Sequence, residues 1–193
     1  MSDNHTADRI AKVALEILER EGPDAVSMRR VAQAVGITPM AIYHHFPNRE
    51  ALLTTITDRE FAKLLSHMQA HPVEGTTEAR LIAVMEGYVD YALLQPQVFD
   101  YVFSRVRAGA RQFPKDFRAR RSPTLNPVAD LLAAEMEKGH LKKDDVWEVA
   151  LALWAHVHGY VVLHRAGRIG LSEKQFRALL HRSIRRFLHG LKA

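Results

Sequence analysis

Two short apolar segments joined by a tightly punctuated turn constrain this chain more than any other feature. Residues 28–46 read MRRVAQAVGITPMAIYHHF. Gly36 stands where a reversal between helices needs a positive φ, which only glycine adopts cheaply. Thr38-Pro39 then launches a second helix, with the threonine as N-cap and the proline at the first helical position, where its missing N–H costs nothing. Val31, Val35, Ile37 and Ile42 are apolar where two short helices must pack, and Ala32 is small where the second crosses close by. Ile42 and Phe46 are i, i+4 and face inward, which leaves Pro39, Met40, Tyr43 and His44 outward. A helix-turn-helix that reads a major groove presents such an outward face. An ordinary pair of packed helices has the same spacing.

The remaining pattern is helical nearly throughout, and no strand alternation or internal repeat is visible. Ile10, Val13, Ala14, Ile17 and Leu18 line one helical face, starting near Thr6 or Asp8 and stopped by Gly22-Pro23. Ser27 caps the first helix of the motif, and Asn48 caps a fourth helix running to about Ala70. Residues 71–77 read as a linker. Further helices are expected over 77–94, from Pro96, over 127–138, over 144–166, and from Ser172 to about His189. The last has the Ser-x-x-Gln form of a capping box. Residues 107–126 hold Gly109, Pro114 and Pro123 and read as loop-rich.

The strings Ser27–Ala32, Gly36-Ile37-Thr38-Pro39 and Ile42 through Leu52 resemble the N-terminal domain of TetR/AcrR-type regulators. The likeness is dense over about residues 7–53. Its most specific part is the tail Tyr43-x-x-Phe46-x-x-Arg49-x-x-Leu52, with Arg49 where the family usually has lysine and Val31 where isoleucine is common. The resemblance implies an all-α fold, with a three-helix helix-turn-helix domain over 1–53 joined by a fourth helix to a larger helical effector-binding and dimerisation domain over 54–193. It implies a DNA-contacting set of Ser27, Arg29, Thr38, Pro39, Met40, Ala41, Tyr43, His44, His45, Asn48 and Arg49. In that set Pro39, Met40 and Ala41 lie against base edges, Tyr43, His44 and His45 touch phosphates, and Arg49 with the Asn48 backbone clamps another. Only Arg29 can make a bidentate contact to guanine, because Pro39, Met40 and Ala41 carry no side-chain donor. The implied partners are a near-palindromic double-stranded operator, a second copy of the chain and a small-molecule effector. The expected role is a cytoplasmic repressor released by that effector; the alternative is a dimeric helical ligand-binding module that does not act on DNA.

A single short recognition helix reads few base pairs, so two half-sites and a homodimer are expected. The last two helices are the natural interface, since from two protomers they form a four-helix bundle. Val149, Leu153, Val157 and Tyr160 mark one stripe, and Phe176, Leu180, Ile184 and Phe187 the other. The same stripes also suit the protomer's own core. Residues 150–159, ALALWAHVHG, resemble the Trp-His-Gly signature of one C-terminal domain type in the family, through Trp154, His158 and Gly159. A close helix crossing would explain a glycine inside that helix. An effector pocket between helices is expected among Met85, Tyr88, Tyr91, Phe99, Phe103, Met136, Trp154 and His158, although a Met and aromatic stripe at helical spacing equally reads as core.

Charge does not point at the helix-turn-helix. The chain carries a net +5, yet residues 105–121 alone hold seven Lys/Arg (Arg105, Arg107, Arg111, Lys115, Arg118, Arg120, Arg121) against one acid, Asp116. That run is either a solvated loop or a contact for DNA flanks or another anion. There is no cysteine, which excludes disulfides, thiolate metal sites and cysteine nucleophiles. No Gly-rich phosphate loop, GxSxG or HExxH occurs, and His156 and His158 point to different faces of a helix. An enzyme, a metal site and a cofactor are therefore not expected. The N-terminus lacks an apolar core for a signal peptide, and no apolar run suggests a membrane partner.

Overall fold

The computed structural model describes residues 3–70, 75–104 and 109–192. Among them the regular structure is helical: α1 (Asp3–Glu21), α2 (Met28–Val35), α3 (Pro39–His45), α4 (Arg49–Gln69), α5 (Thr77–Leu94), α6 (Pro96–Ser104), α7 (Lys115–Arg118), α8 (Asn126–Glu137), α9 (Val146–Arg165) and α10 (Glu173–Leu191). The all-α expectation holds. The expected linker falls partly outside the described residues, at 71–74, and the loop-rich stretch contains the single-turn α7.

The chain divides into two compact units, residues 1–63 with 94–110 and residues 64–93 with 111–193. These differ from the expected domains 1–53 and 54–193. α6 packs on α1, so a segment far downstream joins the first unit, and the boundary falls inside α4, after Lys63. In the first unit Ile10, Ala14, Ile17 and Leu18 of α1 are buried with Val31, Ala32, Ile42, Leu52 and Ile56. Val98 and Phe99 of α6 are buried as well. Phe103 meets Phe99 at 4.9 Å and Phe61 at 5.8 Å between ring centroids.

The second unit packs α9 against α8 and α10. Its buried residues include Leu64, Leu81, Met85, Leu132, Leu153, Val157, Val161, Phe176, Leu180 and Ile184. The close helix crossing lies at Gly87, not at Gly159. A Cβ on Gly87 would sit 2.3 Å from the His67 carbonyl oxygen, whereas nothing lies within 4 Å of a Cβ on Gly159. The backbones of α4 and α5 touch there, a contact open only to glycine.

The stripes expected to form a dimer interface belong to the protomer. Val149, Leu153, Val157, Phe176, Leu180 and Ile184 are buried within the chain's own core. Tyr160 and Phe187 are half-buried, with ring contacts to His156 at 5.2 and 5.8 Å. Periodicity finds an apolar face but does not say which body covers it. The uncovered face of α9 is the other one: Ala152, Ala155, Val162 and Leu163 are exposed, with Gly159 between them. α9 is the one described helix long and apolar enough to cross a membrane by length and composition, a property the sequence pattern had not suggested. Its inner face packs as a core helix of the second unit.

Candidate nucleic-acid interface and effector site

The turn that sets the motif is built from short-range bonds. Ser27 Oγ accepts from the Arg30 N–H at 3.2 Å and caps α2. Gly36 closes that helix at φ 77°, its N–H reaching back to the Ala32 and Gln33 carbonyls. Thr38 Oγ1 accepts from the Ala41 N–H at 3.1 Å and caps α3, and Asn48 Oδ1 accepts from the Ala51 N–H at 2.8 Å and caps α4. Ser27, Thr38 and Asn48 thus spend their side-chain acceptors on caps. A capping hydroxyl keeps its own O–H free to donate to a phosphate.

With Ile42 and Phe46 buried, α3 turns its opposite face outward. Met40 is 72% exposed and Tyr43 48% exposed, a large apolar display for a seven-residue helix. Pro39 and His44 are also exposed, while Ala41 and His45 are half-buried. Arg29, on α2, is exposed and has no acidic partner among the described residues. Its neighbour Arg30 differs, being paired with Glu21. This leaves one free guanidinium beside an apolar reading surface.

Arg49 departs from its expected role. Its Nε donates to the Val26 carbonyl and its Nη2 to the Pro23 carbonyl, both at 2.6 Å. The planar guanidinium fork fits two carbonyls as well as two phosphate oxygens. Here it ties the start of α4 to the turn between α1 and α2, so it shapes the motif and does not stand free as a clamp. The signal for this was the short Gly22–Val26 connection, which must leave carbonyls without helical partners.

The expected effector-site residues do not form one set. Phe99 and Phe103 belong to the first unit; Met85, Tyr88, Tyr91, Met136, Trp154 and His158 belong to the second. Met85, Tyr91 and Phe99 are fully buried. Met136 lines a surface groove of about 390 Å³ with Ala133, Glu137, Lys143, Asp144 and Val146. Tyr88, Trp154 and His158 do meet. Tyr88 Oη lies 2.8 Å from His158 Nδ1 and also bonds Trp154. The indole N–H can only donate, so the phenol oxygen accepts from it and its O–H donates to His158. Burial pushes the Tyr88 phenol well above its ordinary range and keeps it protonated.

Part of the basic run is paired with carboxylates. Arg105 and Arg107 lie outside the described residues. Arg120 makes two bonds to Asp130, at 2.9 and 2.8 Å, and sits over the Trp147 ring at 5.9 Å. Arg118 bonds Asp145 at 2.7 Å, and Arg121 bonds Asp116 at 3.1 Å. Two of the seven cations, Arg118 and Arg120, are thus paired with acids outside the run, and Arg121 with the run's own Asp116.

Sequence reasoning passed over a row of acids in the second unit. Glu86 pairs with both Arg177 and His181, Asp90 pairs with Arg177 at 2.7 Å, and Glu78 with Arg185 at 2.7 Å. The partners stand four residues apart along α10, which is the only trace the pattern leaves. Buried Glu135 accepts from the Thr77 hydroxyl, Lys138 Nζ at 2.9 Å and His140 Nδ1 at 2.8 Å. Those bonds, the Thr77 hydroxyl first, hold its carboxyl down at about 2.

Two family models match the chain: "Bacterial regulatory proteins, tetR family" over residues 10–56, and "Tetracyclin repressor-like, C-terminal domain" over residues 81–187. The Bacillus subtilis uncharacterized HTH-type transcriptional regulator YobS is 24% identical over 186 residues, covering 96% of this chain and 92% of that protein. A protein of unknown function from Rhodococcus sp. RHA1 superposes with a TM-score of 0.82 at 22% identity, over 97% of this chain and 96% of the other. A tetR-family transcription regulator from Shewanella sp. PV-4 follows with a TM-score of 0.73 at 16% identity, over 97% and 98%. At these identities the two structures speak for the fold.

Proposed function

The chain belongs to the TetR family of bacterial regulatory proteins, DNA-binding transcription regulators that usually act as dimers, and we propose that it is a repressor whose α3 reads operator DNA with Arg29 as its principal polar contact. The observation that carries this is the outward face of α3. Met40 and Tyr43 are exposed on a short helix capped at Thr38, beside the unpaired Arg29. Met40 and Pro39 suit thymine methyl groups, and Arg29 suits the O6 and N7 of guanine. Tyr43 and His44 reach phosphates, which position without specifying.

The homodimer forms through the uncovered face of α9, where Ala152, Ala155, Gly159, Val162 and Leu163 offer small and apolar surface at helical spacing. A second copy laid there removes that surface from water and places two α3 helices on a near-palindromic operator. The effector enters the second unit near Tyr88, Trp154 and His158. The contacts of buried Tyr88 with half-buried Trp154 and His158 support this and also support the Trp-His-Gly reading of the C-terminal domain. Because α4 runs from one unit into the other, an effector that favours one direction of α4 changes the spacing of the reading helices and releases the operator. Such a protein works in the cytoplasm.

The test is selection from a randomised duplex library with the full chain. Arg29→Ala should lose about 1–3 kcal/mol of affinity and relax preference at one or two positions. A selection profile unchanged by that substitution removes Arg29 from the reading surface. For the dimer, Val162→Glu with Leu163→Glu should halve the sedimenting mass with helicity retained. A dimer of unchanged strength would place the interface elsewhere.

A further inference from the structure

The second unit holds a groove of about 740 Å³ between the first turn of α5, the α8–α9 connection and the last turns of α10. Its lining is predominantly cationic. Arg185, Arg186 and Lys192 face it with His140 and His189, against one carboxylate, Glu78. Arg185 already holds Glu78 at 2.7 Å. Arg186 and Lys192 meet no carboxylate among the described residues. Leu141 and Leu188 add apolar surface below.

The groove is anchored on every side. Thr77 and His140 are both tied to the buried Glu135, which Lys138 neutralises. The Lys142 N–H donates to the Leu191 carbonyl at 2.8 Å, and Leu141 bridges Lys192, so the end of α10 is pinned to the α8–α9 connection. Cations on a fixed backbone lose less entropy on binding than cations on a frayed end. A concave site of this volume takes a small molecule. Same-sign charges around low-dielectric walls concentrate the potential inside it.

We infer that this groove binds a small organic anion with two or more acidic groups, phosphate or carboxylate. Arg186 and Lys192 take the charges, and His140 and Thr76 contribute at the rim. The guanidinium fork matches either oxyanion. This site is separate from the Tyr88–Trp154–His158 cluster and does not depend on α3 reading DNA.

The test is calorimetric titration of the full-length protein with inorganic pyrophosphate and with citrate, using hexanoate as a single-charge control. One equivalent of pyrophosphate or citrate should bind, and hexanoate should bind at least tenfold more weakly. Arg186→Ala and Lys192→Ala should each weaken binding about fivefold or more, and the pair should abolish it. Arg182→Ala, on α10 but outside the groove, should change nothing. Glu78→Gln should tighten binding severalfold. The tighter of the two probes identifies the acid group. Absence of binding by both probes overturns the proposal, and so does equal weakening by Arg182→Ala, which would mean general surface charge.

Discussion

In the first unit the side chains that shape the helix-turn-helix bond to backbone three residues away: Ser27 to Arg30, Thr38 to Ala41, Asn48 to Ala51. The second unit has such caps too, at Asp145 and Ser172, and adds long polar links. Tyr88 meets His158 70 residues on, Glu86 meets Arg177 91 residues on, and Glu78 meets Arg185 107 residues on. Contacts close in sequence form with little loop-closure entropy and each fixes one turn. The long links exist only after the helices have packed, and they then select one arrangement of α5, α9 and α10. The helix-turn-helix is specified mainly by local bonds; the packing of α5 and α10 is specified by fit.

The largest expected effect tests that fit. Gly87→Ala should destabilise the protein by about 3 kcal/mol or more, since a methyl cannot share space with the His67 carbonyl. Gly159→Ala should instead stabilise the isolated protomer by about 1 kcal/mol, the ordinary helix gain. Thermal unfolding of both checks the contrast, and equal effects would mean that α4 and α5 do not touch at Gly87.

Arg49 makes a long link within the first unit, as does the Arg59–Asp8 pair. Arg49→Ala should cost about 2–3 kcal/mol in denaturant unfolding, the usual loss for two bonds from a charged donor. The slope of DNA affinity against salt should stay that of the wild type. A flatter slope with unchanged stability would restore the phosphate clamp.

Glu135 tests the long links by pH. Its carboxyl sits at about 2 in the folded protein against an ordinary value of 4.5. A depressed folded-state value stabilises above the unfolded value and loses that contribution as pH falls. The melting-temperature gap between wild type and Glu135→Gln should therefore be full at neutral pH, shrink below about 4.5 and close near 2. A gap that is constant over that range would sever the link to Thr77, Lys138 and His140.

The smallest effect belongs to the basic run. Arg120→Ala removes an exposed pair with Asp130 and should cost at most about 1 kcal/mol. DNA affinity should not move. A loss of affinity across all sequences would return this run to the DNA surface.

The motif residues were legible because their reasons are local. A positive φ at Gly36, a cap at Thr38 and an inward Ile42–Phe46 pair follow from what each residue does to its own turn. The effector-site set was less legible. Tyr88, Trp154 and His158 come together, but Phe99 and Phe103 lie in the other unit. Burial and aromatic character alone do not say which core a residue joins.

By itself the sequence determined that the chain is helical, where the reading helix starts and stops, and which face of it is outward, because capping, turn chemistry and periodicity act within a few residues. Only the tertiary structure decided that Arg49 serves two carbonyls, that Arg118 and Arg120 of the basic run are paired with distant acids, that Gly87 and not Gly159 marks the close crossing, and that the expected dimer stripes lie largely in the protomer's own core. Each of those depends on which distant residue arrives opposite. A one-dimensional pattern records the face a helix presents but not the partner that meets it.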